Sequence, residues 1–214
     1  MEMKVCGLYL ARDSEKIILH QNLNLCAKFF DEVIILSPKD HLVDISGYKC
    51  VEVGESCHSG WLTIERLMAG IKYASSLDYD LFVFLEYDAL LLDRPKFFEG
   101  FQTNIFKEGD VEKWGVDYYC HYPWIFSKMA LVRLAETMTI EPMREGFSDR
   151  WIACQVEKLS IPTKNLFASH EGYSQNTIYS VHHESFKEYL EKGAYAIHGI
   201  KSDDEVQILK PYIK

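Results

Sequence analysis

One apolar run that ends in two acids constrains this sequence more than any other feature. Residues 81–85 read Leu-Phe-Val-Phe-Leu and are followed by Glu86, Tyr87 and Asp88. A short, unbroken apolar run of this kind is typical of a strand that is buried on both faces of a parallel sheet. Because residues two apart on a strand point to the same side, we expect Glu86 and Asp88 to converge and Tyr87 to face away.

The two acids predict a cation site, since like charges held together favour a cation between them. Oxygen ligands suit Mg²⁺ or Mn²⁺ carrying phosphate oxygens. The spacing alone is also compatible with a simpler interpretation, in which the two acids terminate the strand and are exposed to solvent. A literal D-x-D, Asp78-Tyr79-Asp80, precedes the strand and would lie at the amino end of the sheet. Since α/β folds bind ligands beyond the carboxyl ends, we interpret it as a helix-to-strand turn.

The order of elements predicts an α/β fold, a single Rossmann-like domain over 1–214 with a mainly parallel central sheet flanked by helices. The first part is regular, with strands expected over 4–10, 31–36 and 49–53 and helices over about 15–30 (capped by Ser14) and 61–76. No G-x-G-x-x-G follows the first strand and no G-x-x-x-x-G-K-[ST] occurs, which disfavours dinucleotide and Walker-type phosphate binding.

The second part is less regular. Residues 91–109 have loop and short-helix character, and 169–177 form a polar loop typical of ligand-covering segments. The remaining predictions are strands over 114–119, 162–168 and 195–198 and helices over 128–138 (capped by Ser127), 149–159 (capped by Ser148) and 185–192.

Composition narrows the class of protein. The chain has 214 residues, 48% of them hydrophobic, and a net charge of −9, which argues against binding to nucleic acid or to an anionic membrane. Its six cysteines lack zinc-site spacing, and their apolar surroundings favour reduced thiols. No apolar run approaches the ~20 residues of a membrane span, and the first residues do not resemble a signal peptide. We therefore expect a cytoplasmic protein without a membrane span.

The sequence resembles a nucleotide-sugar-dependent glycosyltransferase of the GT-A fold over essentially its whole length. Four segments carry the likeness: KVCGLYLARD at the start, WLTIERLMAGIKYASSLDYD leading into LFVFLEYDALLL, GFSDRWIACQVEKL, and AIHGIK at 196–201. It is also similar in kind to compact cytosolic transferases that large algal DNA viruses encode. The resemblance implies a donor-binding half over about 1–93 and an acceptor-binding half over about 94–214.

The resemblance implies a metal centre and a catalytic base. Glu86, Asp88 and His198 would hold Mn²⁺ or Mg²⁺, and Lys201 would bind the diphosphate. Asp149, at the start of a helix whose dipole favours its ionised form, would be the general base. The sequence departs from the family's pattern in two places: the D-x-D is E-x-D, and the x-E-D is Ser148-Asp149. The predicted donor-binding residues are Leu10, Ala11, Arg12, Arg66, Glu86, Tyr87, Asp88, Lys201 and Trp124, the last for contact with sugar or acceptor.

These expectations favour an inverting transferase that moves a sugar from a UDP-sugar donor to a glycan or other hydroxyl acceptor. A retaining transferase on the same fold, a nucleotidyltransferase and a degenerate nucleotide- or carbohydrate-binding module stay open as alternatives. A glycoside hydrolase is disfavoured because its two carboxyl groups stand at least ~5 Å apart across a sugar. The chain is also compatible with a catalytic module of a longer protein.

Overall fold

The computed structural model describes residues 3–54, 60–93, 103–104, 107–108, 118–119, 124–140, 148–161, 177–178, 182, 186–191 and 196–214. Its strands are β1 (Val5–Leu10), β2 (Glu32–Ser37), β3 (Lys49–Glu52), β4 (Leu81–Glu86), β5 (Leu90–Leu91), β6 (Thr103–Asn104), β7 (Lys107–Glu108), β8 (Tyr118–Tyr119), β9 (Trp124–Ser127), β10 (Thr177–Ile178) and β11 (Ala196–Ile197). Its α-helices are α1 (Lys16–Cys26), α2 (Gly60–Ser75), α3 (Lys128–Thr137), α4 (Ser148–Lys158), α5 (Phe186–Glu191) and α6 (Asp203–Leu209).

A six-stranded sheet in the order β3-β2-β1-β4-β9-β6 forms the centre of the molecule. The first four strands are parallel, and β9 runs antiparallel to β4. The predicted α/β class with a mainly parallel sheet is therefore confirmed. Because β1 lies between β2 and β4, its carboxyl end and that of β4 lie side by side, with Leu10 opposite Glu86.

Helices cover both faces of this sheet, which explains why the strands are apolar throughout rather than alternating. All six residues of β1 are buried. Val5 and Tyr9 belong to the core layer that includes residues of α1 and α6. Leu8 and Leu10 belong to the opposite layer, with residues of α2, α3 and α4.

A second, three-stranded sheet has the order β10-β11-β5. Within it β11 pairs antiparallel with β5, so that Ile197 lies opposite Leu90 and Ala196 opposite Leu91. This pairing brings a segment near the end of the chain against the residues that follow β4.

Several sequence predictions are corrected in their details. The first helix is shorter than 15–30: a 3₁₀ turn (Asp13–Glu15) precedes α1 and another (Ala27–Phe29) follows it. Ser14 does not cap it, because Ser14 lies within the 3₁₀ turn and Glu15 occupies the N-cap position of α1. Residues 91–109, predicted as loop and short helix, contain the short strands β6 and β7 and the end of β5.

Other predictions are confirmed or lie outside the described residues. Ser127 caps α3, its Oγ accepting from the Ala130 amide at 3.2 Å. Residues 162–168 and most of 114–119 and 169–177 fall outside the described ranges. The described cysteines are free thiols, as predicted: Cys6, Cys26, Cys50 and Cys154. None of the helices in the described part of the chain combines the length and apolar character that a membrane crossing requires.

Candidate metal centre

The chain turns directly after β4, and this turn brings Glu86 and Asp88 together. The Ala89 amide donates to the Glu86 carbonyl at 3.0 Å, and the Tyr87 amide donates to the Leu10 carbonyl at 3.2 Å. The predicted convergence is confirmed, although a turn rather than strand alternation produces it. Tyr87 does not face away from the site as predicted, because its hydroxyl lies 3.3 Å from the Lys201 ammonium.

His198 reaches the same point through the pairing of β11 with β5. Since Ile197 lies opposite Leu90, the next residue along the chain meets the turn that precedes β5. The Ile200 amide then donates to the Asp88 carbonyl at 3.1 Å and fixes the two segments to each other. Gly199 between them has a φ of +83°, a left-handed conformation that side-chain-bearing residues rarely adopt. This glycine turns the chain so that His198 and Lys201 both contact the acids.

Three donor atoms converge at this edge of the sheet. One ligand atom each from Glu86, Asp88 and His198 lies within 4.8 Å of the others. The His198 Nε2 atom is 2.9 Å from Glu86 Oε2 and 3.2 Å from Asp88 Oδ1. Nε2 carries one proton at most, and its hydrogen bond goes to Glu86.

The Asp88 carboxylate shows that the centre fits a cation. Asp88 is 1% exposed, and its Oδ1 is buried without a hydrogen-bond partner in the described part of the chain. This oxygen lies 3.2 Å from His198 Nε2 but makes no hydrogen bond with the described residues, and a bound cation would satisfy it directly. Two carboxylates and an imidazole are donors that Mn²⁺ accepts, so the residues fit the metal that the sequence predicts.

The charges of the centre depend on one another. Burial disfavours a charged His198, but the adjacent Asp88 and Glu86 carboxylates outweigh it and raise the pKa of His198 to about 9. Burial acts to raise the pKa of Asp88, but His198 and Lys201 together lower it. Without metal, Asp88 is therefore ionised and His198 protonated at neutral pH.

Lys201 lies at the exposed rim of the centre. Its ammonium contacts Asp88 Oδ2 and lies 5.2 Å from the centroid of the Tyr87 ring, while 62% of the side chain is exposed. The Lys201 amide donates to Glu205 Oε2 at 2.6 Å, and Ser202 and Glu205 form the capping box of α6. Helix α6 is not among the elements predicted from the sequence, although Ser202-Asp203-Asp204-Glu205 is the S-x-x-E pattern that marks such a helix start.

The residues predicted at the end of β1 lie beside the centre, but part of their polar surface is used by the fold. The Ala11 amide donates to the Leu36 carbonyl at 3.2 Å, and the Leu10 carbonyl accepts from the amide that follows Glu86. The Arg12 guanidinium pairs with Glu15 through Nη2 at 2.5 Å. Contact of Leu10, Ala11 and Arg12 with a nucleoside stays a prediction.

Arg66 lies on α2 near the carboxyl end of β3. A Cβ atom built on Gly54, just beyond that strand, would lie 3.2 Å from Arg66 Cα. The Nε atom of Arg66 is buried and makes no hydrogen bond with the described residues. Its predicted contact with a nucleotide is untested, but the arginine is at the same edge of the sheet as the metal centre.

The structure corrects the interpretation of Trp124. This residue begins β9 rather than lying in a loop, is 0% exposed and belongs to the core layer with α2 and α3. A side chain without exposed surface is core packing and not a sugar platform.

Asp149 is the second residue of α4, and its side chain lies outside the described residues. The literal D-x-D is a turn as predicted, with Asp80 Oδ2 accepting from the Lys4 amide at 2.8 Å.

Comparison with known proteins identifies a solved structure with a similar fold. The chain matches no protein-family model and no curated protein by sequence. Among solved structures it is similar to a glycosyltransferase involved in the glycosylation of the major capsid of PBCV-1. The two share 13% identity and a TM-score of 0.56, and the match covers 97% of this chain and 99% of the other. The chain therefore has the fold of a solved glycosyltransferase over nearly its whole length.

Proposed function

We propose that this protein is a metal-dependent glycosyltransferase of the GT-A type that moves a sugar from a nucleotide-diphosphate donor, with a UDP-sugar favoured, to a hydroxyl acceptor. The observation that carries the proposal is the Glu86–Asp88–His198 centre, in which the buried Asp88 Oδ1 lies 3.2 Å from His198 Nε2 and makes no hydrogen bond with the described residues, at the ligand-binding edge of a sheet with a glycosyltransferase's fold.

Glu86, Asp88 and His198 would hold Mn²⁺ or Mg²⁺. When bound, such a cation supplies charge stabilisation for the departing nucleoside diphosphate. Lys201 adds a second positive charge at the rim, where its exposed ammonium would bind a phosphate oxygen. Tyr87, in contact with Lys201, keeps that ammonium near the centre.

The backbone at Leu10 to Arg12 and the Arg66 guanidinium would bind the nucleoside. The carboxyl ends of β1 and β4 adjoin in the sheet, so a nucleoside at the end of β1 lies beside the metal centre. Arg66 Nε is a buried donor without a partner among the described residues, which suits an acceptor atom of a ligand.

Asp149 would take the proton of the acceptor hydroxyl as that oxygen bonds to the anomeric carbon. The bond from the same carbon to the diphosphate oxygen breaks, and the nucleoside diphosphate leaves with the electron pair. Attack opposite the leaving group inverts the configuration. The position of Asp149 in the first turn of α4 favours the ionised carboxylate that a base requires.

The test is turnover of a panel of UDP- and GDP-sugars, with release of nucleoside diphosphate measured with Mn²⁺, with Mg²⁺ and with chelator. We expect a divalent-dependent release that Asp88→Ala abolishes. The matched control is Asp78→Ala in the literal D-x-D, a fully exposed side chain at the other end of the sheet, which should leave turnover unchanged. Asp149→Asn should lower transfer about 10²–10⁴-fold, the range for a general base, while nucleotide binding persists. Turnover that ignores both chelator and Asp88→Ala would refute the proposal.

A further inference from the structure

A buried asparagine on α1 contacts the turn that carries the two acids. Asn22 is 0% exposed, and its Nδ2 donates to the Tyr87 carbonyl at 2.9 Å. Tyr87 lies between Glu86 and Asp88, so this hydrogen bond crosses 65 residues of sequence to reach the middle of the acidic pair. An acceptor at this position requires a donor, which fixes the orientation of the Asn22 amide.

The surroundings of Asn22 make a purely structural role costly. It is on the buried stripe of α1 with Leu19, Leu23 and Cys26, the i, i+3, i+4, i+7 spacing of an apolar helix face. Its Oδ1 is buried and makes no hydrogen bond with the described residues. An apolar side chain at this position would avoid that unsatisfied oxygen. The hydrogen bond to Tyr87 is the compensating interaction.

The turn itself is held by bonds that converge on consecutive residues. The Tyr87 amide bonds to β1, the Ala89 amide to the Glu86 carbonyl, and the Asp88 carbonyl to the Ile200 amide. Asn22 supplies the partner of the Tyr87 carbonyl, which none of these backbone bonds uses. Without it, the Tyr87 carbonyl loses this hydrogen bond and the peptide between Tyr87 and Asp88 is held less tightly; a change in the orientation of that peptide would move the Asp88 side chain relative to Glu86.

We propose that Asn22 is a positioning residue for the metal centre: its amide fixes the peptide plane that sets the distance between the Glu86 and Asp88 carboxylates. The inference rests on the proposed function in so far as Mn²⁺ is the ion. Residues that orient metal ligands from outside the coordination sphere typically contribute 10–100-fold to metal affinity. We expect Asn22→Leu, similar in size and suited to apolar surroundings, to weaken Mn²⁺ binding about tenfold.

The experiment compares the Mn²⁺ dissociation constant of wild type and four variants, by calorimetry or by the electron paramagnetic resonance signal of free Mn²⁺. Two variants are controls: Asn24→Leu at an exposed position, and Leu23→Ala, which removes core packing from the same helix. The first test variant is Asn22→Leu. Asn22→Ala is a second variant that removes the amide without adding apolar bulk. Both Asn22 variants should bind Mn²⁺ about tenfold more weakly, whereas Asn24→Leu and Leu23→Ala should remain within about twofold of wild type.

Amide hydrogen exchange in the metal-free protein provides a readout that does not depend on the ion. The Ala89 and Ile200 amides should lose protection in Asn22→Leu, relative to amides of β1 in the same sample, and keep it in Leu23→Ala. Equal Mn²⁺ affinity in Asn22→Leu and wild type, or equal weakening by Leu23→Ala, would overturn the inference. If wild type binds no Mn²⁺, the proposed function fails, but hydrogen exchange still tests the role of Asn22. Loss of protection at the Ala89 and Ile200 amides in Asn22→Leu would uphold that role, and unchanged protection would overturn it.

Discussion

Binding of a metal at the proposed Glu86–Asp88–His198 centre should be coupled to the release of a proton. A metal ligand is neutral imidazole, whereas the two acids raise the pKa of His198 in the metal-free protein to about 9. Because pH 7 is about two units below the pKa of His198, the ion must displace a bound proton. That displacement costs about 2.7 kcal/mol, or roughly 100-fold in affinity.

The sign of the pH dependence follows from this coupling. Between pH 6 and 8 His198 is protonated without metal, so the dissociation constant for Mn²⁺ should fall about tenfold for each unit of rising pH. The metal-free protein should show the opposite trend in stability. Because the folded pKa of His198 is raised, its stabilising contribution is complete below the unfolded pKa of about 6.5 and is lost as pH rises through about 9.

Calorimetry in two buffers of different ionisation enthalpy measures the number of protons released. We expect about one proton per Mn²⁺ at pH 7 in wild type and none in His198→Gln, which should also bind more weakly. His20→Gln is the matched control, since His20 is an exposed histidine on α1. A dissociation constant that is flat from pH 6 to 8, without proton release, would refute the electrostatic account of the centre.

Three further predictions test individual parts of the fold. Trp124→Ala should lower the free energy of unfolding by about 3–5 kcal/mol in denaturant titrations, because the side chain is entirely buried; lost turnover with unchanged stability would instead support a sugar contact. Gly199→Ala should cost roughly 1–2 kcal/mol of stability and also weaken Mn²⁺ binding. Gly47→Ala, at a φ of +89° in open space, should cost similar stability without affecting the ion; equal effects of the two on Mn²⁺ binding would contradict the role given to Gly199. The Cys26 thiol, whose pKa burial raises to about 11, should resist thiol reagents at pH 8 until the protein unfolds; rapid labelling of the native protein would contradict its burial.

Local sequence patterns predicted the fold of residues 1–93 well. Apolar runs gave β1, β2 and β4 to within a residue or two, because strands buried on both faces leave little other interpretation. The run into Glu86 and Asp88 also identified which end of the sheet carries the acids. Asp78 and Asp80, a better match to the literal motif, lie at the amino end as their position before the strand predicted.

Local sequence patterns do not predict features that depend on contacts between distant parts of the chain. His198 was placed by resemblance, but the reason it meets Asp88 is the antiparallel pairing of two-residue strands, which carry almost no sequence signal. Trp124 follows a proline and was interpreted as a loop residue, whereas pairing with β4 makes it a buried strand residue. Asn22 gives only a weak sequence signal, as a polar residue on the apolar stripe of α1.

The central claim is that a divalent cation at Asp88 joins a nucleoside diphosphate to this protein. The most direct measurement is a calorimetric titration with UDP and with GDP, in the presence and absence of Mn²⁺, on wild type, Asp88→Ala and Asp78→Ala. We predict metal-dependent binding of UDP that Asp88→Ala abolishes and Asp78→Ala preserves. If neither nucleotide binds, or if binding is indifferent to both the metal and Asp88, the claim is wrong, and Glu86 and Asp88 are a polar end to β4.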